Sequence, residues 1–239
     1  MQNCIGAIDG VHVPITISDY EAAPYRNIED SLSQNVMLAC DFDLNFVHVC
    51  SGHEGSASDA AVLYAAVESG FEVPSNKYYL VDRGYANTPS FLAPYREAAY
   101  HIEEEEQSNC QPSDYKELFN LRHSKLRNNI KRATALLKMR FPILNVATFY
   151  QIETQAKIPA AAVVLHNIMQ GQKDDDDDDD GWAFNQAMPV SSRRTVVLPS
   201  GDDAYGNDVE ELNNQCSMGD ALRDYIAKKM WTDYERNRR

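Results

Sequence analysis

Positive charge is scarce in this chain: 22 lysines and arginines stand against 36 aspartates and glutamates, a net charge of −14. Taken as a sum, that argues against nucleic acid as a partner, because backbone phosphates are met by Lys and Arg. Cysteines are few and unpatterned. The five (Cys4, Cys40, Cys50, Cys110, Cys216) are odd in number and show no CxxC or Cys/His ligand spacing. This fits a reducing compartment with buried thiols and lends no support to a zinc site. Long apolar runs are missing too: the longest, near Ile158–Leu165, falls far short of the ~20 residues of a membrane span. The N-terminal residues have neither the basic start nor the apolar core of a secretory signal. A soluble intracellular protein with no membrane partner is expected.

What is present is enough for one sizeable α/β domain plus extras: 239 residues, 44% hydrophobic and 10% aromatic. The charge is unevenly spread. Residues 1–172 carry thirteen basic and twenty acidic side chains; residues 173–239 carry nine and sixteen, seven of the acids in the run Asp174–Asp180. Between Leu118 and Gln151 there are seven basic residues and no acid: Arg122, Lys125, Arg127, Lys131, Arg132, Lys138 and Arg140. A basic face inside an acidic protein survives the sum. It reads either as a groove wall for a DNA backbone or as a solvated helix face.

The pattern along the chain is strands first, then a helix, another strand, then helices. Ile5–Ile15 is β-rich, with Asp9-Gly10 as a candidate turn. Val36–Cys50 reads as a hairpin around Asp43-Leu44-Asn45. Ser56–Ser69 reads as a helix opened by Ser58 and Asp59, and Lys77–Asp82 as a short buried strand. Ala99–Glu106 suggests an edge strand running into charge. A long helix is expected over Pro112–Met139, with Leu126, Ile130, Ala133 and Leu137 on one face. Another is expected near Tyr150–Met169, interrupted or started at Pro159. From Gln170 to about Glu210 the composition turns to Asp, Gly, Ser and Pro, which bury too little to order themselves. Helical spacing returns with Met218, Leu222, Ile226 and Met230. The expected division is a domain over 1–171, an acidic flexible linker over 172–216 and a C-terminal helix over 217–239. Helices covering a mixed sheet make the fold class α/β.

Three aspartates stand out by position. Asp9 follows the apolar run Cys4–Ile8, Asp82 ends Tyr78–Val81, and Asp59 opens a helix. Carboxylates at the ends of buried strands suit Mg²⁺, a hard cation held by one or two carboxylates with substrate phosphate completing its shell. Two such ions activate the attacking oxygen and stabilise the leaving one in phosphoryl transfer. Each aspartate also has a plainer reading: a hairpin turn at Asp9-Gly10, a favourable charge at a helix N-terminus for Asp59, turn chemistry for Asp82 before Arg83-Gly84. Spacing alone leaves both readings open. His12, His53 and His101 read as structural or hydrogen-bonding residues, and His166 as a satisfied core histidine.

Four blocks decide between them: NCIGAIDGVHVPI, CDFDLNFVHVCSGHEGSASDAAVL, YYLVDRGYANTPSFLAPYR and FNLRHSKLRNNIKRATALLKMRFPIL, in that order over most of residues 3–171. Together they resemble the DDE endonuclease domain of PIF/Harbinger transposases and of the host proteins derived from them. The later LHNIM and LRDYIAKKMW add a likeness to plant members. The resemblance implies a ribonuclease-H-like fold, with catalytic, metal-binding acids that fall on Asp9, Asp59 and Asp82, and Mg²⁺ or Mn²⁺ as cofactor. It further implies DNA as substrate, a nuclear location and, for active members, a Myb-like accessory protein.

One block departs from the family. The helix motif resembles RNxIERxFGxLKxRFPIL, and this chain reads RNNIKRATALLKMRFPIL, so the last acid falls on Lys131 and the Phe-Gly on Thr134-Ala135. Unit charges ~4 Å apart at an effective dielectric of ~20 interact by ~4 kcal/mol, and a dication doubles that before screening. Lys131 is therefore expected to weaken or expel an ion, unless its ammonium stands in for one beside the phosphate. The N-terminal helical DNA-recognition region of the family is also expected to be missing. Three readings result: a divalent-metal-dependent DNA nuclease by ancestry, impaired at Lys131; a catalytically inactive domesticated nuclear protein that keeps DNA or chromatin binding; or a decayed product.

Overall fold

The computed structural model describes residues 1–98, 111–172 and 209–238. The expected strand over Ala99–Glu106, the acidic run and most of the expected linker lie outside the described residues. Five strands, β1 (Cys4–Pro14), β2 (Ser33–Cys40), β3 (Phe46–Glu54), β4 (Tyr78–Leu80) and β5 (Phe91–Leu92), form one sheet in the order β3-β2-β1-β4-β5. β1 pairs antiparallel with β2 and β2 with β3, whereas β4 joins β1, and β5 joins β4, in parallel. The helices are α1 (Asp59–Glu68), α2 (Tyr115–Arg140), α3 (Ile152–Gln170) and α4 (Val209–Arg236).

Side chains alternate across a strand, and the two faces of the sheet build separate cores. Ala7, Val13, Val36, Leu38 and Leu80 meet Leu118, Phe119, Ile130 and Leu137 of α2, Ala162 and Val163 of α3, and Ala227 and Met230 of α4. Ile8, Met37, Ala39, Tyr79 and Val81 meet Val62, Leu63 and Ala66 of α1. The expected mixed α/β sheet is the observed architecture.

Three expectations need correction. β1 runs unbroken through Asp9 and Gly10, so no turn occurs there. The alternation that suggested two pieces belongs to one strand buried on both faces. Pro159 neither starts nor interrupts α3 but lies inside it. A proline there strips the carbonyl four residues back of its helical donor. The buried Gln34 side chain replaces it, donating from Nε2 to the Gln155 carbonyl at 2.9 Å. Third, α4 starts at Val209 rather than 217; of the expected stripe, Leu222, Ile226 and Met230 pack against the core. Met218 is 51% exposed, while a β-carbon at Gly219 would lie 2.4 Å from the Asn87 carbonyl oxygen. Close backbone approach at Gly219, together with Leu222, Ile226 and Met230, sets how this helix docks.

Candidate active site at the aspartate cluster

Asp9 sits in the middle of β1 on the face that meets α2, where Arg127 Nη1 lies 3.4 Å from its Oδ2. That ion pair is largely shielded, with the Asp9 side chain 23% exposed and that of Arg127 12%. Asp82 follows β4. The parallel register sets Ala7 beside Leu80, and two residues further along each segment Asp82 is near enough to Asp9 to act on it. Asp82 Oδ1 also accepts the Gly84 amide at 2.7 Å, so it serves turn chemistry as well as the cluster.

Asp59 reaches the cluster from the other side. Its helix is capped by Ser58, whose hydroxyl accepts the Ala61 amide. A β-carbon on Gly10 would lie 2.1 Å from Asp59 Oδ1. Since neighbouring β-carbons on a strand point opposite ways, the Asp59 carboxylate rests on the face of β1 turned away from Asp9. Asn35 holds it there, donating from Nδ2 to Asp59 Oδ1 at 2.8 Å and to the Ala57 carbonyl at 3.0 Å.

The three carboxylates feel one another. Burial raises Asp9 from its ordinary 3.8 to about 6; Arg127 and Lys131 pull it down, and Asp82 and Asp59 push it up. Burial also raises Asp59, against the Asn35 hydrogen bond and His12, with Asp82 pushing the same way as burial. The cluster carries more negative charge than it comfortably holds.

A family model described as DDE superfamily endonuclease matches residues 8–167. The chain belongs to the DDE superfamily endonucleases. It is 30% identical over 174 residues to "Putative nuclease HARBI1" of Rattus norvegicus, covering 70% of this chain and 46% of that protein. It is 29% identical over 174 residues to the Homo sapiens protein of the same name, with the same coverage. "Protein ALP1-like" of Arabidopsis thaliana is 26% identical over 193 residues, 73% of this chain and 45% of that protein. The chain thus spans less than half the length of these relatives. No solved structure matches it. The Harbinger-type resemblance of the four blocks is borne out.

DDE superfamily endonucleases use divalent metals, and the residues of this one fit an ion in part. Asp9 and Asp82 are a pair of carboxylates of the kind Mg²⁺ usually takes, and a cation there would offset the burial, and the lesser repulsion from Asp82 and Asp59, that raise Asp9. Among the described residues, however, no three His, Cys, Asp or Glu side chains are grouped to hold an ion as they stand. Nor does Lys131 fit: it is exposed, one turn along α2 from Arg127, and its charge reaches Asp9.

The basic stretch divides. Arg127 serves Asp9. Lys138 donates to the His12 carbonyl at 3.0 Å, and Arg140 binds the Gln170 side chain at 2.9 Å and stands 3.3 Å from His166 Nδ1. Arg122, Lys125 and Arg132 are exposed. His166, wholly buried between Arg140 and the Leu44 carbonyl, is the satisfied core histidine that was expected. His12 bonds Ser33 Oγ and His53 approaches Cys50 Sγ at 3.1 Å, while His101 lies outside the described residues. Two residues of the cluster escaped the sequence reading. Asn35 gives no sign of itself beyond a polar residue opening an apolar strand. Tyr85 was visible in the VDRGY block but had no assigned role. Among the described residues no helix is long and apolar enough to cross a membrane.

Proposed function

We propose that this endonuclease domain descends from a metal-dependent DNA phosphodiesterase and that Lys131 has impaired cleavage. The observation that carries the reading is the pair of cations on α2: Arg127 is bonded to Asp9, and Lys131 acts on the same carboxylate from the position of the family's last acid. Asp9 and Asp82 would hold Mg²⁺ or Mn²⁺, with Asp59 backing them through β1. The ion, when bound, supplies Lewis-acid stabilisation of the charge on the phosphate. The chain's own part is to hold the carboxylates apart from one another, neutralise Asp9 through Arg127, and meet the DNA backbone with Arg122, Lys125 and Arg132. Each such contact adds salt-dependent, sequence-independent affinity. Lys138 and Arg140 are committed to packing and belong less to that surface.

A second reading, a catalytically inactive nuclear DNA- or chromatin-associated protein, is favoured by the same cations, since Arg127 and Lys131 offset part of the cluster's negative charge and lessen its repulsion of phosphate. A nuclear location and a Myb-like accessory protein follow from the resemblance and belong to both readings. Plasmid nicking in Mg²⁺ or Mn²⁺ tests them, with Lys131→Glu and Asp9→Ala alongside. Nicking by Lys131→Glu alone supports a nuclease silenced at one position. Nicking by the unaltered chain that Asp9→Ala abolishes shows that the site works with its lysine. No nicking by any form favours the binding protein.

A further inference from the structure

The loop that leaves β1 and the loop that leads into α3 enclose an open groove of about 600 Å³, whose lining includes Ile17, Glu21, Phe149, Tyr150, Ile152 and Glu153. Both walls are pinned to one buried side chain. The Thr16 amide donates to Gln155 Oε1 at 3.1 Å, and Gln155 Nε2 donates to the carbonyls of Thr16 and Tyr150, both at 2.7 Å. Gln155 itself is 2% exposed, so the groove is formed before anything enters it. Its aromatic side chains are nonetheless left in water: Phe149 is 94% exposed and Tyr150 58%. A lone exposed phenylalanine is ordinary, but apolar side chains gathered in a concave, polar-rimmed place mark a site of association.

The rim decides what fits. Glu21, oriented by the Ser18 hydroxyl that donates to it at 2.6 Å, stands on one wall and Glu153 on the other. Among the described residues no basic side chain lines the groove. Both carboxylates act on the nearby Tyr25 phenol, which is raised first by burial and then by Glu54, Glu21 and Glu153. Carboxylates beside exposed rings suit a cation, since the ring face is itself negative and a guanidinium or ammonium stacks on it. They repel phosphate, which argues against the same rings as a stacking platform for single-stranded nucleic acid. We propose that this groove docks an arginine- or lysine-rich peptide segment of a partner protein. Apolar side chains of the peptide rest against Ile17 and Ile152, and its cationic ones lie between the aromatic rings and the two glutamates. Docking there requires neither a metal ion nor cleavage of DNA.

A peptide of alternating arginine and leucine, carrying fluorescein and a benzophenone cross-linker, tests this on the whole chain. The peptide should bind, and its cross-links should fall within residues 16–21 and 149–153. Phe149→Ala should weaken binding roughly tenfold, the loss expected of one aromatic anchor. It should leave the thermal melt unchanged, because so exposed a ring supports nothing. Glu153→Gln should weaken binding less and in a salt-dependent way, whereas Glu72→Gln, at an exposed acid outside the groove, should not weaken it. No binding at about 1 mM protein, where even a weak site fills, overturns the proposal. So do cross-links confined to the run Asp174–Asp180, or an affinity that Phe149→Ala leaves whole, since either means general attraction to an acidic chain. Groove cross-links from an equally labelled oligothymidine that exceed those from the peptide would overturn it in favour of nucleic acid.

Discussion

Gly10 and Asp59 share one space. The carboxylate of Asp59 lies where a side chain at position 10 would begin, 2.1 Å between its Oδ1 and the missing β-carbon. Two of the sequence blocks are joined by this contact: the glycine of the IDG block is the seat for the acid of the GSASD block. Gly10→Ala should drive Asp59 off Asn35 and cost about 1–3 kcal/mol, the worth of a hydrogen bond to a charged group. Asp59→Ala removes the collision, so Gly10→Ala should cost little when made in that background. A double-mutant cycle by denaturant unfolding measures the coupling. Additive effects would show that the two residues do not meet.

Asp9 makes the cation-free protein sensitive to pH. Its folded pKa of about 6 lies above the ordinary 3.8 because of burial, so between these values the folded protein binds more protons than the unfolded chain. The stability it contributes is fully present below 3.8 and is lost as pH rises through about 6, a change of about 3 kcal/mol. Asp59 shifts in the same direction and steepens the slope. Asp9→Asn should therefore melt higher than the native chain at pH 7 without metal, and should flatten the profile between pH 4 and 6. A lower melt for Asp9→Asn at pH 7 would mean that the Arg127 ion pair outweighs the burial of the charge.

The blocks that carried the family also carried the fold, because strands buried on both faces read as apolar runs and the acids end or interrupt them. Asp9, Asp59 and Asp82 were legible as a set, but not as a set divided by a strand. The faces of β1 alternate residue by residue, and only the β-carbon direction at Gly10 shows that Asp59 arrives from the far side. Arg127 was legible as basic and not as the partner of Asp9, a contact made across 118 residues of chain. The Pro159 helix misled for a related reason. A proline breaks a helix locally, and the side chain that compensates comes from a strand far away in sequence.

That compensation gives a prediction of its own. Gln34, 1% exposed, donates to the Gln155 carbonyl at 2.9 Å and accepts the Gly52 amide at 3.0 Å. Gln34→Leu leaves both backbone groups unpaired and should destabilise by about 3 kcal/mol. Pro159→Ala restores an amide that can bond the Gln155 carbonyl within the helix. It should therefore be better tolerated in Gln34→Leu than in the native chain. Urea unfolding of the four proteins tests this, and equal effects of Pro159→Ala in both backgrounds would remove the link between the proline and the glutamine.

The last helix hangs on a glycine. Around Gly219 the side chains form a short polar seam: Asn87 Nδ2 donates to Asp220 Oδ1 at 2.8 Å, Arg223 donates to the Pro94 carbonyl at 3.3 Å, and the Tyr95 hydroxyl donates to Asp224 Oδ1 at 2.6 Å. The Arg223 guanidinium also lies 4.2 Å above the centre of the Tyr95 ring, a cation–π contact. None of these contacts survives if the helix is pushed outward. A β-carbon at 219 would meet backbone, 2.4 Å from the Asn87 carbonyl oxygen and 2.7 Å from Thr88 Cα, so a rotamer change cannot relieve it. Gly219→Val should therefore undock α4 and uncover Ala227 and Met230, which are buried against the sheet-side core. Gly219→Ala should do so in part, although alanine is the better helix former by about 1 kcal/mol. Hydrogen exchange read by mass spectrometry would register the change as faster exchange over 209–238 in both variants, greater for valine. If alanine instead slows exchange there, helix propensity outweighs the contact and the docking does not depend on the glycine.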